Sequence, residues 1–340
     1  MFSIDGTSIG KEQRPYIIAE AGVNYLGNID LAKVFIEEAA DADADAIKFQ
    51  THIQSAEMSQ SGMAEIGYGD LYDRMADFEL TFNEHRELQE HCRRHGISFL
   101  STPFSIEAVK LLDLIDVSAI KIGSGEFSNS HAIKTAADTG RPLIVSTGMS
   151  SWEDIEAQVP FIEDHADAFA LLYCVSAYPT QPEEFNLGVI ERMRESFGVP
   201  IGLSDHSTGI RAAVTAIGFG ASLIEKHFTI DRRLPGGDQE VSIEPDELDE
   251  LTDYADLSVT ASGQDRTILE AERDIKQWAV HSVVTTERIE AGEPLTEENT
   301  TTKRPGTGIP AKEYYETMGC CVDRTIEPDT VVREEDLRAE

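Results

Sequence analysis

Eight short apolar runs, each followed by a helix-like segment, constrain this 340-residue chain more than any other feature. In order from Tyr16 to Phe228 they are YIIAEAG, AIKFQT, SFLSTP, AIKIGSG, LIVSTG, FALLYCVS, PIGLSDH and SLIEKHF. Nearly continuous apolarity over so few residues marks strands covered on both faces, as in parallel sheets. The intervening pieces, among them NIDLAKVFIEEAADAD, NEHRELQEHCRRHG and SWEDIEAQVPFIEDHA, carry N-cap residues and helical periodicity. Alternation of this kind makes the strands parallel, and eight of them close a barrel. A doubly wound sheet would need a nucleotide fingerprint, and no G-x-G-x-x-G opens a helix here. The expected fold class is therefore α/β, a (β/α)8 TIM barrel.

Other segments attach to that barrel. Residues 1–15 read as a hairpin cap turning at Asp5-Gly6, and Ile53 to Leu80 is an insertion long enough to form a lid. The barrel is expected over 16–262, ending in an acidic helix from Pro245 to about Ala261, with a linker over 263–277. Residues 278–340 alternate apolar runs (VHSVVTT, CCVDRTI, TVVRE) with turns (EAGEPLT, KRPGTGIP, EPDT), which predicts a small β-rich module.

Charge and composition limit the function classes. With 63 acidic against 28 basic residues the net charge is −35, which disfavours non-specific binding to nucleic acid or to anionic membranes. The acids are spread over the helices, a pattern expected of a surface adapted to high intracellular salt. No apolar run approaches the roughly 18 residues of a membrane span, and MFSIDGTSIGKEQRP lacks a basic-then-apolar leader, so a cytoplasmic protein is expected. The four cysteines, Cys92, Cys174, Cys320 and Cys321, form no C-x-x-C pair and read as reduced thiols. Lysine is scarce, yet Lys48, Lys121 and Lys226 lie in strands, which suggests cationic work inside a site.

Functional residues of a (β/α)8 barrel sit at the C-terminal ends of its strands. Here those ends carry Glu20, Lys48 with Gln50, Ser101 with Thr102, Lys121 with Ser124, Ser176 with Tyr178, His206, and Glu225 with His227. Ser146, Thr147 and Asp205 read as capping or water-bonded residues. Side chains alternate along a strand, so Ser204 pairs with His206 and Glu225 with His227, and adjacent strands aim both pairs at one place. Two imidazoles and a carboxylate make a metal site or an acid/base site; taken alone, the histidines could equally be core residues. Lys48 and Lys121 with the hydroxyls of Thr102, Ser124, Ser176 and Ser204 would cradle a phosphate or phosphate-carboxylate compound, an anion that offsets the cost of burying lysine. Two neutral imidazoles with open positions suit a borderline divalent ion such as Mn²⁺. Glu20 and Glu225 are candidates for proton transfer or for binding hydroxyls.

Together these motifs resemble the sialic acid synthase family, phosphoenolpyruvate-condensing enzymes that make nine-carbon acidic sugars (N-acetylneuraminate and legionaminate synthases). IIAEAGVNYLGN, KFQTH, LSTPFS, KIGSGE, STGM, YCVSAYPT, GLSDH, IEKHF and LPGGD stand in the family's order, and KRPGTGI resembles the loop of its C-terminal antifreeze-like (SAF) module. The resemblance implies that phosphoenolpyruvate is held by Lys48, Thr102, Lys121, Ser124, Ser176 and Ser204. It implies a divalent metal, Mn²⁺ or else Mg²⁺ or Co²⁺, on His206 and His227. Gln50, Tyr178, Glu225 and Asp238 would contact an open-chain acylamino sugar, and Glu20 would manage water and substrate protons. Arg304 would reach the barrel mouth of the partner in a homodimer. Three positions depart from the family pattern: Ser176 stands where some members have Asn, Tyr25 where many have His, and Lys226 where Arg is frequent. A sister enzyme acting on a 2,4-diacetamido-2,4,6-trideoxy sugar is the nearest rival. A carbohydrate-binding protein with an inactive barrel is a more distant one, and the intact Glu20, Lys48, Lys121, His206 and His227 speak against it.

Overall fold

All eight apolar runs become strands of one parallel sheet in the computed structural model, which describes residues 2–263 and 265–338. An antiparallel hairpin precedes them, β1 (Phe2–Ile4) and β2 (Thr7–Ile9), joined by Asp5 and Gly6, both at positive φ. The barrel strands are β3 (Tyr16–Gly22), β4 (Ala46–Thr51), β5 (Ser98–Pro103), β6 (Ile120–Ile122), β7 (Leu143–Ser146), β8 (Phe169–Cys174), β9 (Ile201–Asp205) and β10 (Leu223–His227). Their order is β5-β4-β3-β10-β9-β8-β7-β6, and β5 lies beside β6, which brings the sheet round on itself. The fourth run gives only three strand residues, because the chain turns as a 3-10 helix over Ser124–Glu126 directly after Gly123.

Helices fill the connections: α1 (Ile29–Asp41), then α2 (Gln54–Glu57), α3 (Gln60–Glu65) and α4 (Gly69–Met75), then α5 (Phe82–His95). After them come α6 (Ile106–Leu114), α7 (Ser130–Ala137), α8 (Trp152–His165), α9 (Gly188–Phe197), α10 (Arg211–Gly218) and α11 (Pro245–Thr260). In α1 the Asn28 side chain caps the free amides of Asp30 and Leu31. Ala32, Phe35, Ile36 and Ala39 then fall on one buried face, where covering Phe35 and Ile36 stabilises the packing by ~1.5–3 kcal/mol each. Helix α5 starts with a Thr81–Glu84 capping box and stops at Gly96, whose φ of 73° is left-handed.

Strand alternation grades the barrel interior from apolar to polar along its axis. Its lower level is a cluster of Tyr16, Ile18, Ala46, Leu100, Ala119, Ile144, Ala170, Leu172 and Leu223. Two residues further along the same strands stand Glu20, Lys48, Thr102, Lys121, Ser146, Cys174 and Glu225. Gly202 interrupts the lower level because a Cβ there would lie 2.6 Å from Leu172 Cδ2. Ile4 and Ile9 of the hairpin are fully buried in this cluster, so the cap stoppers the floor of the barrel.

The insertion after β4 folds as α2, α3, α4 and a 3-10 turn at Ala76–Phe78. Its far end is tied to the first βα loop: the Tyr25 hydroxyl donates to Phe78 O at 3.2 Å, and the ring packs edge-on against Phe49. Tyr25 is thus a packing residue.

A second unit spans Gln264–Glu340. Where a linker was expected, Glu270–Ala279 forms the helix α12, started by Glu272 accepting from the Leu269 amide. Beyond it, β11 (Ser282–Thr285) pairs antiparallel with β12 (Thr300–Lys303), and α13 (Tyr314–Thr317) follows. Val283, Ile289, Leu295, Ile309, Val322, Ile326 and Val332 form this unit's own core. Among the described residues no helix is long and apolar enough to cross a membrane.

Candidate active site

Thirteen barrel residues expected at the site line one cavity of about 400 Å³: Glu20, Lys48, Gln50, Thr102, Lys121, Ser124, Ser176, Tyr178, Ser204, His206, Glu225, His227 and Asp238. Ser101 does not, its hydroxyl being bonded to Thr51 Oγ1 and Phe49 O. Strand register explains the convergence. Glu20 is opposite Lys48, Gln50 opposite Thr102, Ser204 opposite Glu225, and His227 opposite Glu20. Arg304 belongs to the second unit, where its guanidinium stands over the Trp278 ring at 5.4 Å.

The two buried lysines are held by the protein itself. Lys48 Nζ lies 2.6 Å from Glu20 Oε2, 3.7 Å from Glu225 Oε2, and donates to Thr102 Oγ1 at 2.9 Å. Lys121 Nζ donates to Ser146 Oγ at 2.6 Å and to Ile122 O at 2.9 Å, with Glu225 Oε1 at 3.8 Å. An anionic ligand is one possible partner for the lysines; within the protein two glutamates already fill that place. Ser146 is likewise a lysine partner and not merely a capping hydroxyl. Burial pushes the Glu20 carboxyl up to about 7, against the opposing pull of Lys48. Burial also disfavours ionised Glu225, but Lys121 and Lys48 outweigh it and hold its pKa below the usual value. Burial lowers Lys121, while in Lys48 the two glutamates overcome the same effect and raise it.

The imidazoles face each other across the opposite wall, ring centroids 5.4 Å apart. His206 Nδ1 donates to Val175 O at 2.8 Å, which leaves Nε2 as the acceptor turned to the cavity, 3.0 Å from the Tyr178 hydroxyl. That backbone contact fixes the tautomer a metal ligand requires. Burial holds His227 well below the ordinary histidine range, so its ring is neutral. Its Nδ1 is buried without a hydrogen-bond partner and stands 3.8 Å from Asp238 Oδ2. Against the effect of burial, Cys174 and the Val175 carbonyl raise the His206 pKa, so the neutral ring with the orphaned nitrogen is that of His227. Two imidazoles beside a carboxylate are a donor set that fits a borderline divalent cation.

A profile of the NeuB family matches residues 35–267, and one of the SAF domain matches 280–338. The chain belongs to the NeuB family. It is 34% identical to the N,N'-diacetyllegionaminic acid synthase of Campylobacter jejuni, over 95% of this chain and all of that one. It is 33% identical to the mouse N-acetylneuraminate-9-phosphate synthase, over 98% of this chain and 96% of that one. The crystal structure of an N-acetylneuraminic acid synthetase from Leptospira borgpetersenii, at 34% identity, superposes with a TM-score of 0.73 over 81% of this chain and 94% of its own.

This NeuB-family barrel also holds residues that sequence reasoning passed over. Glu126 lines the cavity with Oε2 buried and unpartnered, and burial raises its pKa despite Lys121. It stands two residues past Ser124 in KIGSGE, and Gly123 makes room for it, since a Cβ there would sit 2.7 Å from Glu126 Oε2. A hydrogen-bonded chain also runs from the insertion into the site. Glu57 of α2 meets His52 Nδ1 at 2.9 Å, His52 Nε2 meets Gln50 Oε1 at 3.0 Å, and Gln50 donates to Glu20 at 3.1 Å. The i, i+2 spacing of Gln50 and His52 in KFQTH was the available signal. Lys226, conversely, is no site residue. It points out of the barrel and is paired with Asp205 at 3.3 Å.

Proposed function

We propose that this NeuB-family chain is an enzyme that condenses phosphoenolpyruvate with open-chain N-acetylmannosamine, forming N-acetylneuraminate and releasing phosphate by C–O cleavage. The observation that carries this reading is the meeting, in one cavity, of a buried lysine pair with a facing pair of imidazoles. Lys48 and Lys121 would receive the phosphate and carboxylate of phosphoenolpyruvate, with Thr102, Ser124, Ser176 and Ser204 as hydroxyl donors. The incoming anion competes with Glu20 for Lys48. A carboxyl poised near neutrality and released from its cation can take a proton from water or return one. C3 of phosphoenolpyruvate bonds to the sugar aldehyde carbon and water adds at the resulting oxocarbenium C2; Glu20 takes one water proton and returns it to the former aldehyde oxygen, and the C2 hydroxyl proton leaves with phosphate as the C2–O bond breaks and C2 becomes a ketone. A divalent cation held by His206 and His227, Mn²⁺ first with Mg²⁺ and Co²⁺ as alternatives, supplies Lewis-acid polarisation when bound. Gln50, Tyr178, Glu225 and Asp238 stand where the sugar would lie. Arg304 would serve the partner's mouth in a homodimer.

The diacetamido trideoxy sugar is the second substrate to test, on the strength of 34% identity along 95% of the chain to a legionaminic acid synthase. The assay supplies purified protein in high salt and Mn²⁺ with phosphoenolpyruvate and either sugar, and measures phosphate. Release with one sugar alone assigns the substrate, and no release with either sinks the reading. His206→Ala should abolish release, and undiminished turnover would exclude the metal role.

A further inference from the structure

Helices α1 and α5 pack together outside the barrel, and their facing surfaces bring three metal-ligating groups together away from the mouth. His91 and His95 stand one helical turn apart on α5 and share a face. Their ring centroids are 4.7 Å apart. Glu37 of α1 points between them, its Oε1 2.9 Å from His91 Nε2 and 4.0 Å from His95 Nε2. The three donors all lie within 4.8 Å of one another. Tetrahedral ligands bonded at about 2.0–2.1 Å stand roughly 3.3 Å apart, so side-chain shifts of about 1 Å would close the site.

We propose that Glu37, His91 and His95 form an outer cation site for a borderline divalent ion of the Zn²⁺ class, which ties α1 to α5. Two imidazoles and a carboxylate are a recurrent donor set for such ions and leave a fourth position for water. Arg94 competes with the ion. A guanidinium nitrogen of Arg94 lies 3.1 Å from His91 Nδ1, and arginine only donates, so the ring proton sits on Nε2 and is directed at Glu37. Ligation through Nε2 moves that proton to Nδ1 by way of solvent and turns the exposed Arg94 side chain aside. His91 and His95 lie in the last turns of α5, at the end that feeds the start of β5. The ion therefore acts at the floor end of the barrel, on stability and not on the reaction.

The test uses the full chain carrying His206→Ala and His227→Ala, which removes the mouth imidazoles whether or not an ion binds there. Titrated with Co²⁺, this variant is expected to take up one ion per chain with the visible absorption of a four-coordinate site, and Zn²⁺ is expected to raise its melting temperature. Adding His95→Ala, at an exposed position, should abolish both effects and leave the cation-free melting temperature unchanged. Adding Arg94→Ala instead should tighten Co²⁺ binding several-fold. Should the double variant not fold, the same loss of one Co²⁺ per chain is read by placing His95→Ala in the otherwise unaltered protein. Absence of Co²⁺ uptake outside the mouth, or uptake that His95→Ala leaves intact, overturns the proposal.

Discussion

Removal of the Lys226 ammonium tests how the two imidazole-bearing strands are held. Lys226 is fully buried; besides Asp205 Oδ2 at 3.3 Å it contacts the carbonyl of Asp205 at 3.5 Å and donates to that of Ser207. Those two carbonyls flank His206, and Lys226 itself precedes His227, so one ammonium joins both strand ends. In Lys226→Met, Asp205 Oδ2, which has no other hydrogen-bond partner, is left as an unpaired buried charge. Breaking a buried pair from one side costs about 3–5 kcal/mol. At ~2–4 °C per kcal/mol for a domain of this size, the barrel should melt roughly 6–20 °C lower. Adding Asp205→Asn removes the stranded charge and keeps the Oδ1 acceptor that Ser207 N uses at 2.8 Å, so it should recover at least about half of the loss. The assay is thermal melting of wild type, both single variants and the double variant, with Mn²⁺ affinity measured on the folded proteins. If Lys226→Met melts within about 2 °C of wild type, or if Asp205→Asn restores nothing, the bridging account is wrong.

Three further outcomes follow from the geometry. A Cβ at Gly148 would overlap Ser176 Oγ and stand 2.6 Å from Ser124 Oγ and 3.0 Å from Cys174 Sγ, so Gly148→Ala should displace the Ser176 and Ser124 hydroxyls. Loss of one hydrogen bond to a charged group, ~1.5–3 kcal/mol, would raise KM for phosphoenolpyruvate about tenfold or more, and an unchanged KM refutes the cradle. His85 is buried between Thr51 Oγ1 and Thr81 O, and burial depresses its pKa. Its stabilising share is complete above the unfolded value of about 6.5 and is lost as pH falls toward the lower folded value, so urea-unfolding free energies should drop with acid less steeply in His85→Gln. A net charge of −35 repels an anionic substrate, and ~1 M salt cuts the screening length to about 3 Å, so kcat/KM for phosphoenolpyruvate should rise with KCl. A steep fall would show that local attraction outweighs the overall field.

The barrel was legible because burial on both faces leaves strands that read as apolar runs, and because strand ends at the mouth break that pattern with polar residues. Twelve of the thirteen expected barrel residues were found that way; Asp238, in the loop beyond β10, came from the family resemblance alone. The lysines' internal partners were not, since whether Glu20 meets Lys48 depends on stagger between strands, and one sequence holds no record of stagger. Lys226 misled for a related reason: alternation puts it on the face opposite His227, toward the helices, where a lysine in an apolar run still finds carbonyls. Helix α12 was hidden by its composition. EAERDIKQWA has good helix formers and sets Ala271, Ile275, Trp278 and Ala279 at helical spacing, a signal masked by the surrounding polar residues; Ile275 and Trp278 remain more than half exposed.

The hairpin stopper at Ile4 and Ile9 makes the barrel blind-ended, with traffic confined to a single opening. Lys48 sits two residues deeper on β4 than Gln50, so a guest at the lysine level lies beneath one at the Gln50 level. Whatever settles deepest must arrive first and depart last. A queue of that kind imposes an ordered kinetic scheme through plumbing alone, and product trapped at depth would inhibit competitively against the first substrate to enter.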